Sequence, residues 1–385
     1  PGRWRLVKVN GDTPEETVKK IATAEDLNAF ADEIAKGNTT LDAVLTADID
    51  LSQSDYPNLM IGTESNPFGG IFDGQGFTIT YKYENVKDKW RGLFAFVKDA
   101  TISNLRVEGS AYVTNIHFGA LIGRADGAVL VENVITDVDI TGAMNQVTGD
   151  GGMLGANYAN ITFNDCATLG KMGYPGSSMY SSFSAWSNGS SSTTLNNCYS
   201  LCELTEGTGT GNCFTLTHQS GSVSINNCYY LNLIGTYVGG TQITAEEVAN
   251  GALCFKLNGD QSVIRWTQTI GTDLVPQPGT GSQQVYATGT VRCDGEELPD
   301  NPIIYTNTKG QVTKPDHKFG NNAFCSVCGS VRQDDAGFFM IGSAEQLNWL
   351  AQKIEEGKQD HPAVLTTDID LSQSDYPNLM IGTET

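Results

Sequence analysis

GLFAFVKDATISNLRVEG (residues 92–109) is followed closely by FGALIGRADGAVLVENVITDVDITG (residues 118–142). Set one beneath the other, they share a glycine-apolar opening, alternating apolar residues and an Asn ahead of the last apolar run. GGMLGANYANITFNDCATLG (151–170), FSAWSNGSSSTTLNNCYSLC (183–202) and FTLTHQSGSVSINNCYYLNL (214–233) continue the phrase. The Asn recurs at Asn104, Asn133, Asn164, Asn196 and Asn226, spaced 29, 31, 32 and 30 residues apart, and Cys166, Cys198 and Cys228 follow the last three. One arrangement stacks all these columns: a right-handed parallel β-helix, in which each turn completes the core of its neighbours. Stacked Asn side chains can then bond along the axis, and Cys is small enough for an interior column. A β-sandwich is the rival fold, but it would join its strands by short hairpins, and two-residue hairpin signals are scarce here.

Outward from the coil lies a second repetition. AVLTADIDLSQSDYPNLMIGTES (43–65) returns as AVLTTDIDLSQSDYPNLMIGTET (363–385), changed only at Ala47/Thr367 and Ser65/Thr385. Upstream, IATAEDLNAFADEIAKG (21–37) aligns without a gap on IGSAEQLNWLAQKIEEG (341–357). Thr23 and Ser343 precede a helical pattern, with Asp26 and Gln346 three positions on, close to a capping box. Leu27, Phe30, Ala31 and Ile34 share one face, as do Leu347, Leu350 and Ile354. Such a helix needs something large to lie against. The first copy has GGIFDGQGFTITYKY (69–83) after it, whereas the second reads as a module interrupted at its start. It is expected either to pack on the first module or to be loosely held. The expected layout is a capping helix and first strands (1–68), the β-helix (69–235), a connector (236–335) and the start of a second module (336–385).

Composition narrows the function classes. Lys plus Arg total 23 against 44 Asp plus Glu, a formal charge of -21, which repels phosphate backbones and anionic membranes. No apolar run is long enough to span a bilayer, and PGRWRLVKVN lacks the apolar core of a leader. The 43 glycines and 17% charged residues suit repetitive β structure with tight corners. Nine cysteines are an odd number, so their roles are local.

The helix, AVLTADIDLS, FGGIFDGQGFTITYKY and the following GLFAFV and FGALIG phrases resemble the GLUG-type repeat modules of large surface proteins from gut bacteria, many of them adhesin-like. Residues 244–329 are similar to a connector that follows such repeats. The resemblance implies an extracellular, surface-held address, with a host or dietary glycan or glycoprotein and neighbouring modules as partners. It implies no chemistry for the connector. The glycine-leucine phrase lapses into FSAW and FTLT in the later coils.

The connector carries the one constellation with metal-site character. Cys325 and Cys328 form CSVCG, His317 lies upstream, and Cys293 in RCDG completes a Cys₃His set suited to structural zinc. Disulfides involving Cys293 fit an oxidising exterior equally well, and unligated thiols are the third reading. No cofactor is required by anything else in the sequence.

Carbohydrate chemistry on a β-helix needs aromatic platforms and, for hydrolysis, two carboxylates roughly 5 to 9.5 Å apart. Trp90 and Arg91 in VKDKWRG, and His117, Arg124 and Asp126 near the next turn, lie in irregular insertions. Asp137 and Asp139 alternate with Val138 and Ile140, so the carboxylates point outward as an acidic row. That row is a catalytic pair only if the protein is an enzyme; calcium would find oxygens there but nothing else asks for it, and a solvated face is the simplest reading. GKMGYPGSSMYSSFSAWSNGSSS (170–192) gathers Tyr174, Tyr180, Phe183 and Trp186 in a Gly/Ser-rich loop that either recognises a ligand or covers a flank. His218 has no local nucleophile beside it. The sequence thus supports a surface adhesion or glycan-recognition module first. A β-helix hydrolase for a neutral glycan and a non-binding spacer are the alternatives.

Overall fold

The computed structural model describes residues 18–115, 117–143, 149–173, 179–205, 214, 221–234, 239–279, 281–289, 303–310, 316–321, 323–356 and 362–382. Pro1–Val285 and Tyr286–Thr385 form two compact units, and the boundary falls inside the 236–335 segment. The first unit is the parallel β-helix that the spacing predicts.

Each turn contributes three strands that pair in parallel with the turns on either side. The second strand of the turn makes the interior column most plainly. Ala43, Phe72, Ile102, Val131, Phe163, Leu195 and Ile225 are successive partners along it. All but Ile225 are buried. On the third strand Ile49, Ile79, Val107, Thr136, Thr168, Ser200 and Tyr230 follow one another. That column turns from apolar to polar along the axis, and the buried Thr136 hydroxyl is satisfied by donating to Gly152 O at 2.8 Å. The first strand aligns Phe94, Ile122, Leu154 and Ser184. No turn shields its own ring; Phe163 is closed by Val131 before it and Leu195 after it. Truncating one such Phe to Ala costs about 3–5 kcal/mol.

The corner between the second and third strands is left-handed. Gln75, Asn104, Asn133, Asp165, Asn197 and Asn227 all have φ between 51° and 54°. Asn and Asp tolerate this region because their short polar side chains bond locally. Asn133 Nδ2 donates to Asn104 Oδ1 at 3.0 Å, and Asn104 Nδ2 to Asp73 Oδ1 at 2.9 Å. Asn197 donates to Asp165 at 3.1 Å and Asn227 to Asn197 at 3.0 Å. The expected single column through Asn164, Asn196 and Asn226 is therefore corrected. Those three form a second ladder (2.9 Å per link) one residue earlier, registered with Glu132 rather than Asn133. The corner residue of that turn is an Asp, which a search for repeated Asn passes over. Cys166, Cys198 and Cys228 are buried, free thiols, as the interior-column reading expected.

Helix α1 (Ala24–Ala35) begins at a capping box between Thr23 and Asp26 and buries Ala24, Leu27, Phe30, Ala31 and Ile34. The Phe30 ring meets Phe68 at 5.9 Å and Phe72 at 6.0 Å, so the helix closes one face of the early coil. Residues 244–285, with helices α2 (Ala245–Ala249) and α3 (Ala252–Leu257), lie along the left-handed corner. Trp266 Nε1 donates to Asn197 O (2.9 Å), Asn227 Nδ2 to Leu257 O (2.9 Å) and the Tyr199 hydroxyl to Pro276 O (2.8 Å).

The second unit contains the repeated cap. Phe339–Ile341 pairs in parallel with Ala363–Leu365, and helix α4 (Ala344–Glu355) joins them. The register is that of the first copy displaced by 320 residues: Ile341↔Leu365 answers Ile21↔Leu45. This copy has apolar packing of its own. Val331, Phe339, Ile341 and Leu350 form a core of their own, with Phe324, Leu347, Trp349, Ile354 and Ile369 against it.

Candidate binding face and Cys/His cluster

The first-strand face of the coil positions a file of rings and cations. Phe96, Arg124, Ala156 and Trp186 are cross-strand partners on successive turns. Ala156 is the small member, and turns lie about 4.8 Å apart, so Arg124 and Trp186 flank a gap two turns wide. Tyr158, two residues beyond Ala156 on the same side of the strand, fills it. The Arg124 guanidinium carbon lies 4.2 Å from the Tyr158 ring centre and 4.8 Å from that of Trp90. Tyr158 meets Trp186 at 5.0 Å, Trp186 meets His117 at 5.5 Å, and Lys89 Nζ stands 3.9 Å from the Trp90 ring centre. Each cation–ring contact contributes about 0.5–2 kcal/mol, more as water is excluded.

Arg124 is held in place as well as stacked. Its Nη2 donates to Asp126 Oδ1 at 3.0 Å, its Nε lies 2.9 Å from Asp126 Oδ2, and Glu64 is 3.8 Å away. The carboxylate two residues along the strand thereby fixes the guanidinium plane between the two rings. Trp90 (φ 61°) and His117 (φ 64°) both occupy the left-handed region, where a bulky residue costs about 1–3 kcal/mol. Glycines make this conformation possible. A Cβ at Gly123 would sit 2.4 Å from the Trp90 carbonyl, and one at Gly155 would sit 2.4 Å from that of His117. The glycine phrases FGALIG and GGMLG therefore make room for the backbone that presents these rings.

The Trp90 indole N–H is buried and meets no acceptor among the described residues. Burial pushes the His117 imidazole down to about 4, with Lys89 adding to the effect and the Gly149 backbone opposing it. His117 is thus a neutral ring at physiological pH. Trp90, Tyr158 and Trp186 each keep part of their surface exposed.

The structure brings Trp90, His117 and Trp186 together from three turns, with Arg124 and Tyr158 between them. Arg91 is beside them in sequence but is engaged by Asp88 at 2.7 Å. Tyr180 and Phe183, expected at an exposed loop, are instead fully buried, because strand pairing of Tyr180 with Asp150 draws that segment into the coil. Tyr174 and His218 lie outside the described residues. Tyr158 was missed because it belongs to the phase of the repeat that otherwise carries polar residues.

The acidic row points outward as the alternation predicts, with Val138 and Ile140 buried beneath. Both carboxylates have structural partners. Asp137 accepts from Arg106 Nη2 at 3.2 Å, and Asp139 Oδ1 accepts from the Lys171 backbone at 2.9 Å. Burial raises the Asp137 carboxyl above its usual range; Arg106 opposes this, while Glu108 and Asp139 reinforce it.

In the second unit, the ligand atoms of His317, Cys325 and Cys328 all lie within 4.8 Å of one another. Cys328 Sγ and His317 Nδ1 are 3.4 Å apart. Tetrahedral zinc with ordinary bond lengths sets S···N at about 3.6 Å and S···S at about 3.8 Å. The three residues are thus a cluster capable of coordinating a metal. Local hydrogen bonds build it: Gly329 N donates to Cys325 O at 2.8 Å, Cys325 N to Ser330 O at 2.8 Å, and Ser326 N to Lys318 O at 2.8 Å. Gly329 (φ 72°) supplies the left-handed turn after the second Cys. Cys293 lies outside the described residues.

No protein-family model matches this sequence, and no curated protein matches it. Among solved structures, it is similar to a Bacteroides ovatus protein provisionally described as an immunoglobulin A1 protease, with 14% identity and a TM-score of 0.46, covering 67% of this chain and 91% of that one. A second, described as an IgA1 protease, shows 13% identity and a TM-score of 0.31, covering 61% of this chain and 21% of that one. Among the described residues, no helix is long and apolar enough to cross a membrane.

Proposed function

We propose that the β-helix is a non-catalytic recognition module that binds a neutral glycan across the Trp90–Tyr158–Trp186 file, in an extracellular protein held at a bacterial surface. The observation that carries this reading is the file itself: part-exposed rings from several turns, joined by Arg124 stacked between Trp90 and Tyr158 and held by left-handed backbone. Rigid aromatic faces are the surfaces on which apolar sugar faces stack. The net charge of -21 favours a neutral sugar over an acidic one. The GLUG-type resemblance supports the surface address. The partners already engaging Asp137 and Asp139 favour recognition over hydrolysis, since a general acid/base pair has to be available to substrate.

A glycan array probed with the full chain tests the reading. Binding should be lost in Trp186→Ala and kept in Trp186→Phe, both with an unchanged melting temperature. Release of reducing ends that disappears in Asp137→Asn would make the protein a hydrolase instead. No binding and no turnover across neutral glycans would leave a spacer.

For the second unit, we propose that His317, Cys325 and Cys328 hold zinc as a structural ion, supported by their soft ligand chemistry and the 3.4 Å between Cys328 Sγ and His317 Nδ1. Elemental analysis of protein purified without added metal tests this.

A further inference from the structure

The two copies of the cap repeat their sequence and register but not their burial. In the first, Leu45 is 1% exposed and Ile61 0%, covered by the coil. In the second, the corresponding Leu365 is 64% exposed and Ile381 50%. The surface that the first copy lays against the coil is therefore bare in the second. A different neighbour supports this copy among the described residues.

The backbone shows which. Phe319 pairs with Cys325, Phe324 with Val331, Gln333 with Phe339, each antiparallel, and Phe339 then pairs with Ala363 in the cap. Met340 N donates to Arg332 O at 2.8 Å, and Arg332 N to Ala323 O at 3.3 Å. A succession of isolated β-bridges thus leads from the Cys/His cluster to the cap strand. Val331 and Phe324, on the hairpin that carries Cys325 and Cys328, also supply the cap core, a small cluster among the described residues around Val331, Phe339, Ile341 and Leu350. A core that small does not order a segment of this length unaided.

We infer that metal held by His317, Cys325 and Cys328 is the folding determinant of the second cap: the ion fixes the hairpin, and the hairpin pairs with Phe339 and shares the cap core. This rests on the zinc reading above and goes beyond it. Removing the metal releases Phe339–Ile341, α4 and Ala363–Leu365, while the first copy, seated on the coil, stays folded. The order of this cap thus depends on a divalent soft metal.

The two copies act as each other's control. In full-length protein, hydrogen exchange followed by mass spectrometry compares the amides of α1 and α4, with zinc and after chelation. Chelation should accelerate exchange in α4 by about tenfold or more and leave α1 unchanged. Cys328→Ser should show fast exchange in α4 even with zinc, and Cys328→His should restore protection. One bound zinc with α4 indifferent to its removal overturns the coupling but leaves the metal site standing. Absence of bound zinc, or a Cys325–Cys328 disulfide in the purified protein, overturns both.

Discussion

Asp165 sits in the left-handed corner where the turns on either side place Asn133 and Asn197. It is 5% exposed, and burial raises its carboxyl to about 6 from 3.8, with Asn197 and Arg265 opposing the rise and Glu132 adding to it. In the corner ladder each side-chain amide donates to the turn before: 133 to 104, 197 to 165, 227 to 197. No described hydrogen bond joins 165 to 133, because an ionised carboxylate has no proton to donate. Asp165→Asn supplies that donor and removes a buried charge. The folded carboxyl titrates above its unfolded value, so the native state binds the proton more tightly, and stability present below about pH 4 is lost as pH rises through about 6. The gap between 3.8 and about 6 corresponds to about 3 kcal/mol. Wild-type β-helix should therefore lose about that much stability between pH 4 and 7 relative to Asp165→Asn, and the variant should be the more stable at pH 7. Urea unfolding of both proteins across this range measures it, read by fluorescence of Trp266, whose indole donates to Asn197 O beside the site. Arg265, 3.5 Å from Asp165, has a part-exposed side chain that returns to water in the variant. Parallel pH profiles for the two proteins, or a variant weaker at pH 7, would refute the reasoning.

Gly123→Ala should destabilise the β-helix by about 1–3 kcal/mol, since the new Cβ would stand 2.4 Å from the Trp90 carbonyl; thermal melting measures it, and ring contacts at Trp90 should be lost with it. The thiols of Cys166, Cys198 and Cys228 should stay unalkylated by iodoacetamide in native protein at pH 8, because they are buried and burial raises Cys198 well above its usual value. Mass spectrometry of tryptic peptides reads this, and labelling of Cys198 without unfolding would contradict the column.

The coil was legible because its signal is a spacing. Turn length, alternation and the recurring Asn-Cys pair all report on one axis, and no long-range contact has to be guessed. The caps were legible for a local reason: Thr23 with Asp26, and Ser343 with Gln346, are chemistry within four residues. The exact corner was not, since it is defined by backbone conformation. Asp165 serves there as well as Asn does, and the Asn one position earlier drew the alignment off. The binding face was half legible. Trp90, His117, Arg124 and Trp186 stood out in irregular stretches, but Tyr158 joins them only through cross-strand register that no single turn encodes. Burial of Tyr180 was hidden for the same reason, as its pairing with Asp150 is set thirty residues away.

The one-way amide ladder at the left-handed corner sets a grammar for change in length. A whole coil can be inserted or deleted and the ladder heals, because each left-handed corner stacks on another of the same conformation. A single-residue insertion in a strand breaks the ladder and the oily columns together. Variation among the turns is therefore tolerated where they bend, and a protein of this design grows or shrinks in quanta of one circuit.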